Sequence, residues 1–167
     1  MCRHFMEDYG LITRVARFHN VYGPYGTYDG GREKAPAAMC RKVIEGELYS
    51  KDEIVIWGDG EQTRSFMYID DCIDGILKIM YSNIEEPINL GSDEMVSINK
   101  LVDIVEDIAG YRLKRLYDPE APKGVRGRNS DNTLIRKYLG WAPEYPLSEG
   151  MKKTYNWIKE QMLANVK

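Results

Sequence analysis

An α/β fold is what this sequence predicts, and three observations carry the prediction. Glu53–Trp57 (EIVIW) is rich in β-favouring residues, reads as a short strand whose side chains alternate between two faces, and closes on the turn Gly58-Asp59-Gly60. Leu101, Ile104, Val105 and Ile108 recur at helical spacing between Ser97, a good N-cap, and Gly110, a good stop. An apolar run over residues 11–18 opens into a Gly- and Tyr-rich loop that ends in Glu33-Lys34 and a helix led by Pro36. Strands and helices that alternate along a chain define the α/β class.

The remaining elements follow in order. Residues 11–18 mix apolar and β-favouring side chains and read as a buried strand. A helix over 36–45 places Met39, Cys40, Val43 and Ile44 on one face, with Gly46 as its stop. Residues 65–69 read as extended. Asp70 or Asp71 then caps a helix whose Ile73, Ile76, Leu77 and Met80 form an apolar stripe. A short strand over 87–90 stops at Gly91, and 113–117 reads as another strand, followed by an irregular stretch to Gly127. Asp131 or Asn132 opens a short helix that ends at Gly140. Ser148 opens the last one, with Met151, Tyr155, Ile158 and Met162 on one side. Core packing is the default for Tyr155 and Trp157.

Composition narrows the function classes. At 167 residues and 43% hydrophobic, the chain is long enough for one ordinary core, so one domain over 1–167 is expected. A net charge of -3 gives no global attraction to nucleic acid or to a membrane surface. An anionic ligand has to be met by local clusters, and Arg32/Lys34, Arg41/Lys42 and Arg126/Arg128 supply them. Cys2, Cys40 and Cys72 are odd in number and lack metal-ligand spacing, so reduced thiols in a cytoplasmic setting, with no metal, are expected. No apolar run reaches membrane-spanning length, and the first residues show neither signal- nor transit-peptide character.

The segment RFHNVYGP, from Arg17 to Pro24, resembles the RxxNxYGP signature of the sugar-nucleotide epimerases and dehydratases of the extended short-chain dehydrogenase/reductase family. The blocks HNVYGPYGTYDGGREKAPAA, WGDGEQTRSFMYIDD, NLGSDEMVSIN, GVRGRNSDN and LGWAP extend the resemblance, in order, over essentially the whole chain. They are most similar to members that act on GDP-mannose and related GDP-hexoses. The resemblance implies the C-terminal part of that fold: the last strands of the Rossmann-like sheet plus a small α/β substrate lobe. The Gly-rich dinucleotide loop, the active-site cysteine and the YxxxK pair that precedes the 11–18 strand are expected to be missing. NAD is then the cofactor of the complete enzyme and is not expected to bind this chain alone. The family is homodimeric, but the helices it usually pairs through are largely absent here. Stripped sheet strands are expected to leave an open edge and an uncovered apolar surface that favours self-association.

The same resemblance assigns site residues. Epimerisation at two non-acidic sugar carbons implies transient oxidation at C4, which acidifies both neighbouring C–H bonds, and then an acid/base pair on opposite faces of the ring. Lys34 is implied as one member of that pair, whereas its type and loop position alone read as a solvated lysine. Asn20, at a strand end, is either a turn residue or a partner for sugar hydroxyls; the resemblance gives it the second role. Glu33, Ala35, Lys42, Gln62, Thr63, Arg64 and Arg128 complete the implied substrate set, with Lys42, Arg64 and Arg128 toward the diphosphate. Arg64 has the alternative of pairing with Asp70 or Asp71, and Arg126 of bracing its own loop. His19 is given no role. Residues 20, 34, 42, 64 and 128 are expected around one shared cavity.

Overall fold

The computed structural model describes residues 1–122 and 124–165. An exposed helix α1 (Cys2–Tyr9) leads into β1 (Ala16–Phe18) and β2 (Val21–Tyr22), then α2 (Ala35–Tyr49) and β3 (Glu53–Trp57). Next come β4 (Thr63–Ser65), β5 (Met67–Tyr68), α3 (Ile69–Met80), β6 (Ile88–Leu90), β7 (Met95–Ser97) and α4 (Ile98–Ala109). The chain continues through β8 (Lys114–Asp118), β9 (Gly127–Arg128), α5 (Thr133–Leu139) and α6 (Leu147–Asn165). The expected α/β alternation is therefore present.

Strand pairing is mostly parallel and between strands distant in sequence. β1 pairs with β6, β2 with β5 and β3 with β8, all parallel. β4 lies between β7, antiparallel, and β9, parallel. Parallel pairs need long crossovers, and α2 to α4 supply them. One core cluster gathers α2, α4 and α6 over β3, with Cys40, Val43, Ile44, Ile56, Leu101, Val105, Met151 and Ile158 fully buried. The other surrounds β6 with Met67, Cys72, Ile79, Ile88, Leu90 and Ile135. Ile69 packs against both clusters.

Several local expectations are met. Glu53–Trp57 alternates exposed and buried residues, Ser97 Oγ accepts from Lys100 N, and Gly110 ends α4 in the left-handed region. Cys2, Cys40 and Cys72 are free thiols, the latter two buried.

Others are corrected. Gly46 does not stop α2, which runs on to Tyr49 and ends at a left-handed Ser50. The glycine answers to packing, because a Cβ there would meet Leu113 Cδ2 at 2.9 Å. Asp70 and Asp71 lie in the first turn of α3, where their charge suits the helix dipole, and the N-cap is Tyr68. The strand expected over 11–18 is formed only at Ala16–Phe18, and Leu11, Ile12 and Phe18 are exposed.

The largest departure is α3. Its expected core stripe, Ile73, Ile76, Leu77 and Met80, faces solvent at 51%, 36%, 44% and 50% exposure, while Cys72, Gly75 and Ile79 turn inward. A Cβ on Gly75 would stand 2.4 Å from Leu90 Cδ1, so the helix sits on β6 through its small residues. A helix apolar on both sides is built to be covered on both. Here one side carries β6 and Trp141, and the other forms a bare groove with Ile12, Ala16 and Phe18. The uncovered apolar surface expected from the resemblance is thus found on α3 and the neighbouring β1.

Candidate functional site

The loop over 23–34 delivers Glu33 and Lys34 to the start of α2. Gly30 and Gly31 have φ of 85° and 79°, values that a side chain would strain, so the chain reverses there at little cost. Lys34 is the N-cap residue, with extended backbone and no side-chain cap on the helix, and its carbonyl accepts from Ala38 N at 2.9 Å. An uncapped N-terminus keeps its positive dipole end available to an anion. Glu33 turns inward, its side chain only 10% exposed, and Lys34 turns out to solvent.

Beside this helix end lies a cavity of about 370 Å³, within the range of small-molecule sites. Glu33, Ala35, Ala38, Met39, Arg41 and Lys42 line one side of it; Trp57, Gln62, Arg64, Ile98 and Pro122 line the other. Lys42 Nζ donates to the Val55 carbonyl at 2.7 Å. Burial first, and Arg41 next, hold its pKa below the usual lysine range. Gln62 Nε2 donates to the Trp57 carbonyl at 2.7 Å, and its Oε1 is buried without a described partner. Glu33 repeats the pattern: Oε1 accepts from Arg41 Nη2 at 3.1 Å, while Oε2 is buried and unpartnered. Burial works to raise the Glu33 pKa, but its own backbone N–H, the Arg41 guanidinium and Gly31 outweigh that and hold it low. Two waiting acceptors, several cations and an apolar wall suit a ligand that is anionic, ring-bearing and furnished with donors.

Arg128 lies one strand away. In the parallel register of β4 and β9, Thr63 pairs with Gly127 and Arg64 with Arg128, so the two arginines stand side by side. Arg64 Nη1 donates to the Thr63 carbonyl at 2.7 Å, and its Nη2 lies 3.5 Å from where a Gly124 Cβ would be. Burial, then the charge of Arg128, pushes the His19 pKa down, and its Nδ1 is buried without a described partner. Asn20 follows with φ of 39°, its amide donating to the Ser65 carbonyl at 3.0 Å and its own carbonyl accepting from Met67 N at 3.2 Å. In this structure Asn20 ties the end of β1 to the β4–β5 corner.

The expectation of one cavity shared by residues 20, 34, 42, 64 and 128 is corrected. Glu33, Ala35, Lys42, Gln62 and Arg64 line the cavity; Asn20, Lys34, Thr63 and Arg128 do not. Residues 63 and 128 belong to the adjoining β4–β9 pair, Lys34 stands between the lining residues Glu33 and Ala35, and Asn20 is bonded to the end of β4 at Ser65. Arg126 braces its loop, as its alternative had it, through an exposed ion pair with Asp59 at 2.7 Å. Of the other lining residues, Arg41 is read in the sequence only as part of a basic cluster and Met39 only as a helix-face residue, while Ala38, Trp57, Ile98 and Pro122 are given no site role. For Arg41 the signal was there, in a basic side chain one helical turn before Glu45 and near Asp29 and Glu33.

A Tyr-x-x-x-Lys spacing does occur late in the chain, at Tyr155 and Lys159 on α6. Both side chains are committed to Glu47, at 2.9 and 2.6 Å, and burial with Glu47 pushes the phenol pKa up. The phenol is deeply buried and held by a carboxylate, the surroundings of a packing element. The dinucleotide cofactor of the family also fits poorly. Gly23 and Gly26 follow β2 at the right spacing, but Asp29 takes the third position and α2 begins only at Ala35. The Gly-x-Gly at Gly58 to Gly60 runs from β3 into β4 and not into a helix. Neither turn makes a pyrophosphate cradle.

Fold and cavity together define an α/β unit with a small-molecule-sized cavity whose lining carries Arg41, Lys42 and Arg64. Residues 1–91 match the NAD dependent epimerase/dehydratase family, and the chain belongs to that family. It is 52% identical over 162 residues to GDP-mannose 3,5-epimerase of Arabidopsis thaliana and equally to GDP-mannose 3,5-epimerase 1 of Oryza sativa subsp. japonica. Each match takes in 97% of this chain and 42% of the relative, so the chain spans less than half their length. Among solved structures it is similar to UDP-glucose 4-epimerase of Thermotoga maritima, with a TM-score of 0.85 and 31% identity over 96% of this chain and 50% of that one. The architecture is therefore that of part of an extended short-chain dehydrogenase/reductase epimerase.

Proposed function

We propose that this chain is the sugar-nucleotide-binding part of a GDP-mannose 3,5-epimerase, an isomerase that interconverts GDP-D-mannose and GDP-L-galactose. The observation that carries the proposal is the cavity that joins Glu33, Lys42, Gln62 and Arg64 beside the α2 N-terminus, with Arg128 next to Arg64. Lys42, Arg64 and Arg128 attract the diphosphate, and the unpartnered oxygens of Glu33 and Gln62 accept from ligand N–H or O–H groups. Lys34 serves as one member of the acid/base pair, and Asn20 borders the sugar. The 52% identity to plant GDP-mannose 3,5-epimerases supports GDP-mannose over the UDP-sugars of more distant relatives.

Alone, the chain is inactive. Neither Gly-rich turn forms a dinucleotide cradle, and its Tyr-x-x-x-Lys pair is held by Glu47. It works in the cytoplasm, and its bare α3 face drives self-association.

Calorimetric titration of the full chain with GDP-mannose tests the binding claim. Saturable binding is expected, weakened roughly 10-fold or more in Arg128→Ala, with UDP-glucose bound less well. No heat with GDP-mannose, or equal affinity for UDP-glucose, refutes the assignment. Product formed from GDP-mannose and NAD by the chain alone refutes the claim of inactivity.

A further inference from the structure

Arg41 has no place among the ligand-contacting residues above, yet it lines the cavity and its guanidinium meets the Tyr28 carbonyl, Glu33 and Glu45. It projects from the second turn of α2, and its side chain is 19% exposed. Nε donates to the Tyr28 carbonyl at 3.0 Å and lies 3.7 Å from Asp29 Oδ1. Nη2 donates to Glu33 Oε1 at 3.1 Å, and Nη1 to Glu45 Oε1 at 2.5 Å. Glu45 is itself anchored at its other oxygen by Lys51 Nζ at 2.8 Å. One planar fork thus grips the incoming loop at 28, 29 and 33 and braces itself on the helix at 45. The loop needs such a grip, since Gly30 and Gly31 within it carry no side chains that could pack.

We propose that Arg41 is the positioning residue of the site: its guanidinium clasps the 28–33 loop to α2 and so fixes where Glu33 and Lys34 stand relative to the cavity. The role deepens the GDP-hexose reading and rests on it for the identity of the ligand. A guanidinium is required, because its donors leave in several fixed directions and stay charged; an ammonium offers a single point charge that cannot reach Tyr28, Glu33 and Glu45 together. Since the clasp sets the sugar-side pair, its loss falls on the hexose and not on the diphosphate, which Lys42, Arg64 and Arg128 hold.

The test combines amide hydrogen exchange with titration of GDP and GDP-mannose, on the full chain and on Arg41→Met, Arg41→Lys and Glu33→Gln. Exchange over residues 28–34 is expected to quicken about 10-fold or more in both Arg41 variants, as lost charge-assisted hydrogen bonds imply, and by less in Glu33→Gln. Amides of β3, β8 and α4 are expected to keep their protection, which serves as the check on folding. GDP-mannose affinity is expected to fall about 10-fold in Arg41→Met, without rescue by lysine, while GDP affinity changes less than about twofold. Unchanged exchange over 28–34 overturns the proposal. So does an equal loss for GDP and GDP-mannose, which makes Arg41 a direct phosphate contact. If Arg41→Met loses protection throughout, Glu33→Gln decides, because it cuts the clasp from the loop side. If the unaltered chain binds neither ligand, the functional reading fails and the exchange arm decides the clasp by itself.

Discussion

Lys42→Met separates affinity from stability at one side chain. Lys42 rises from the second turn of α2 against β3, a half-buried ammonium whose hydrogen bond goes to the neutral Val55 carbonyl at 2.7 Å. It is ion-paired to none of the described carboxylates, and burial holds its pKa below its ordinary value of 10.5. For a lysine lowered in this way, the unfolded chain binds more protons over the interval between the folded pKa and 10.5. Stability of the unaltered chain therefore rises with pH across that interval. An anionic ligand reverses the sign, because it needs the ammonium, and affinity falls as pH climbs through the same interval. Methionine keeps the apolar stem and removes the charge. One charge-assisted hydrogen bond to phosphate contributes about 1.5–3 kcal/mol, so GDP affinity at neutral pH is expected to drop roughly 10- to 150-fold. Thermal stability is expected to hold or rise, since the charge burial is relieved. Calorimetric titration and thermal melts across pH 7 to about 10.5 measure both slopes. If Lys42→Met binds GDP as tightly as the parent, or if the parent's affinity does not weaken with pH, Lys42 does not face the diphosphate and the cavity is misread.

Two further perturbations probe the scaffold. Gly150→Ala would set a Cβ 2.2 Å from Tyr22 Oη and 2.7 Å from Tyr68 Cδ2, in a spot where Tyr22 donates to the Leu147 carbonyl; overpacking of this kind costs about 1–3 kcal/mol, and each kcal/mol lowers Tm by about 2–4 °C in a chain of this size. An unchanged Tm would show that α6 can move off Tyr22. Ile76→Ser with Met80→Ser, on the bare side of α3, is expected to reduce concentration-dependent association in sedimentation while Tm stays nearly constant; association undiminished would place the sticky surface elsewhere.

What could be read from the sequence was what is local. Ser97 and Gly110 bound α4 because a cap oxygen and a left-handed residue act within one turn, whatever surrounds them. The alternation of Glu53–Trp57 survived because that strand is covered on one face only. Periodicity failed on α3 because the helix is apolar on two arcs, and spacing cannot tell which arc finds a neighbour first. Gly46 misled for a related reason: its small size answers to Leu113, far along the chain. At the site, motif resemblance found the cavity residues Glu33, Lys42, Gln62 and Arg64, but it overlooked Arg41. That side chain contacts a loop and not a ligand, and its meaning lies in where residues 28–33 fold back.

The two core clusters bear differently on the proposed ligand. Met39 and Ile98, on the cavity wall, belong to the core cluster of α2, α4 and α6, in which Ile44, Val105, Met151 and Ile158 are fully buried. The β1–β6 pair and α3 belong to the other cluster, whose outer side is bare. His19 and Asn20 directly follow Phe18, which lines the bare groove with Ile76 and Met80, so a cover laid there is expected to bear on their positions. Lys42 and Arg64 line the cavity, which shares no residue with that groove. A chain built this way is expected to hold the diphosphate of its ligand firmly while it leaves the sugar loosely placed. The affinity difference between GDP and GDP-mannose is therefore the quantity that reports how complete the site is. It should widen when the bare face of α3 is covered, with no change in any residue that touches the phosphates.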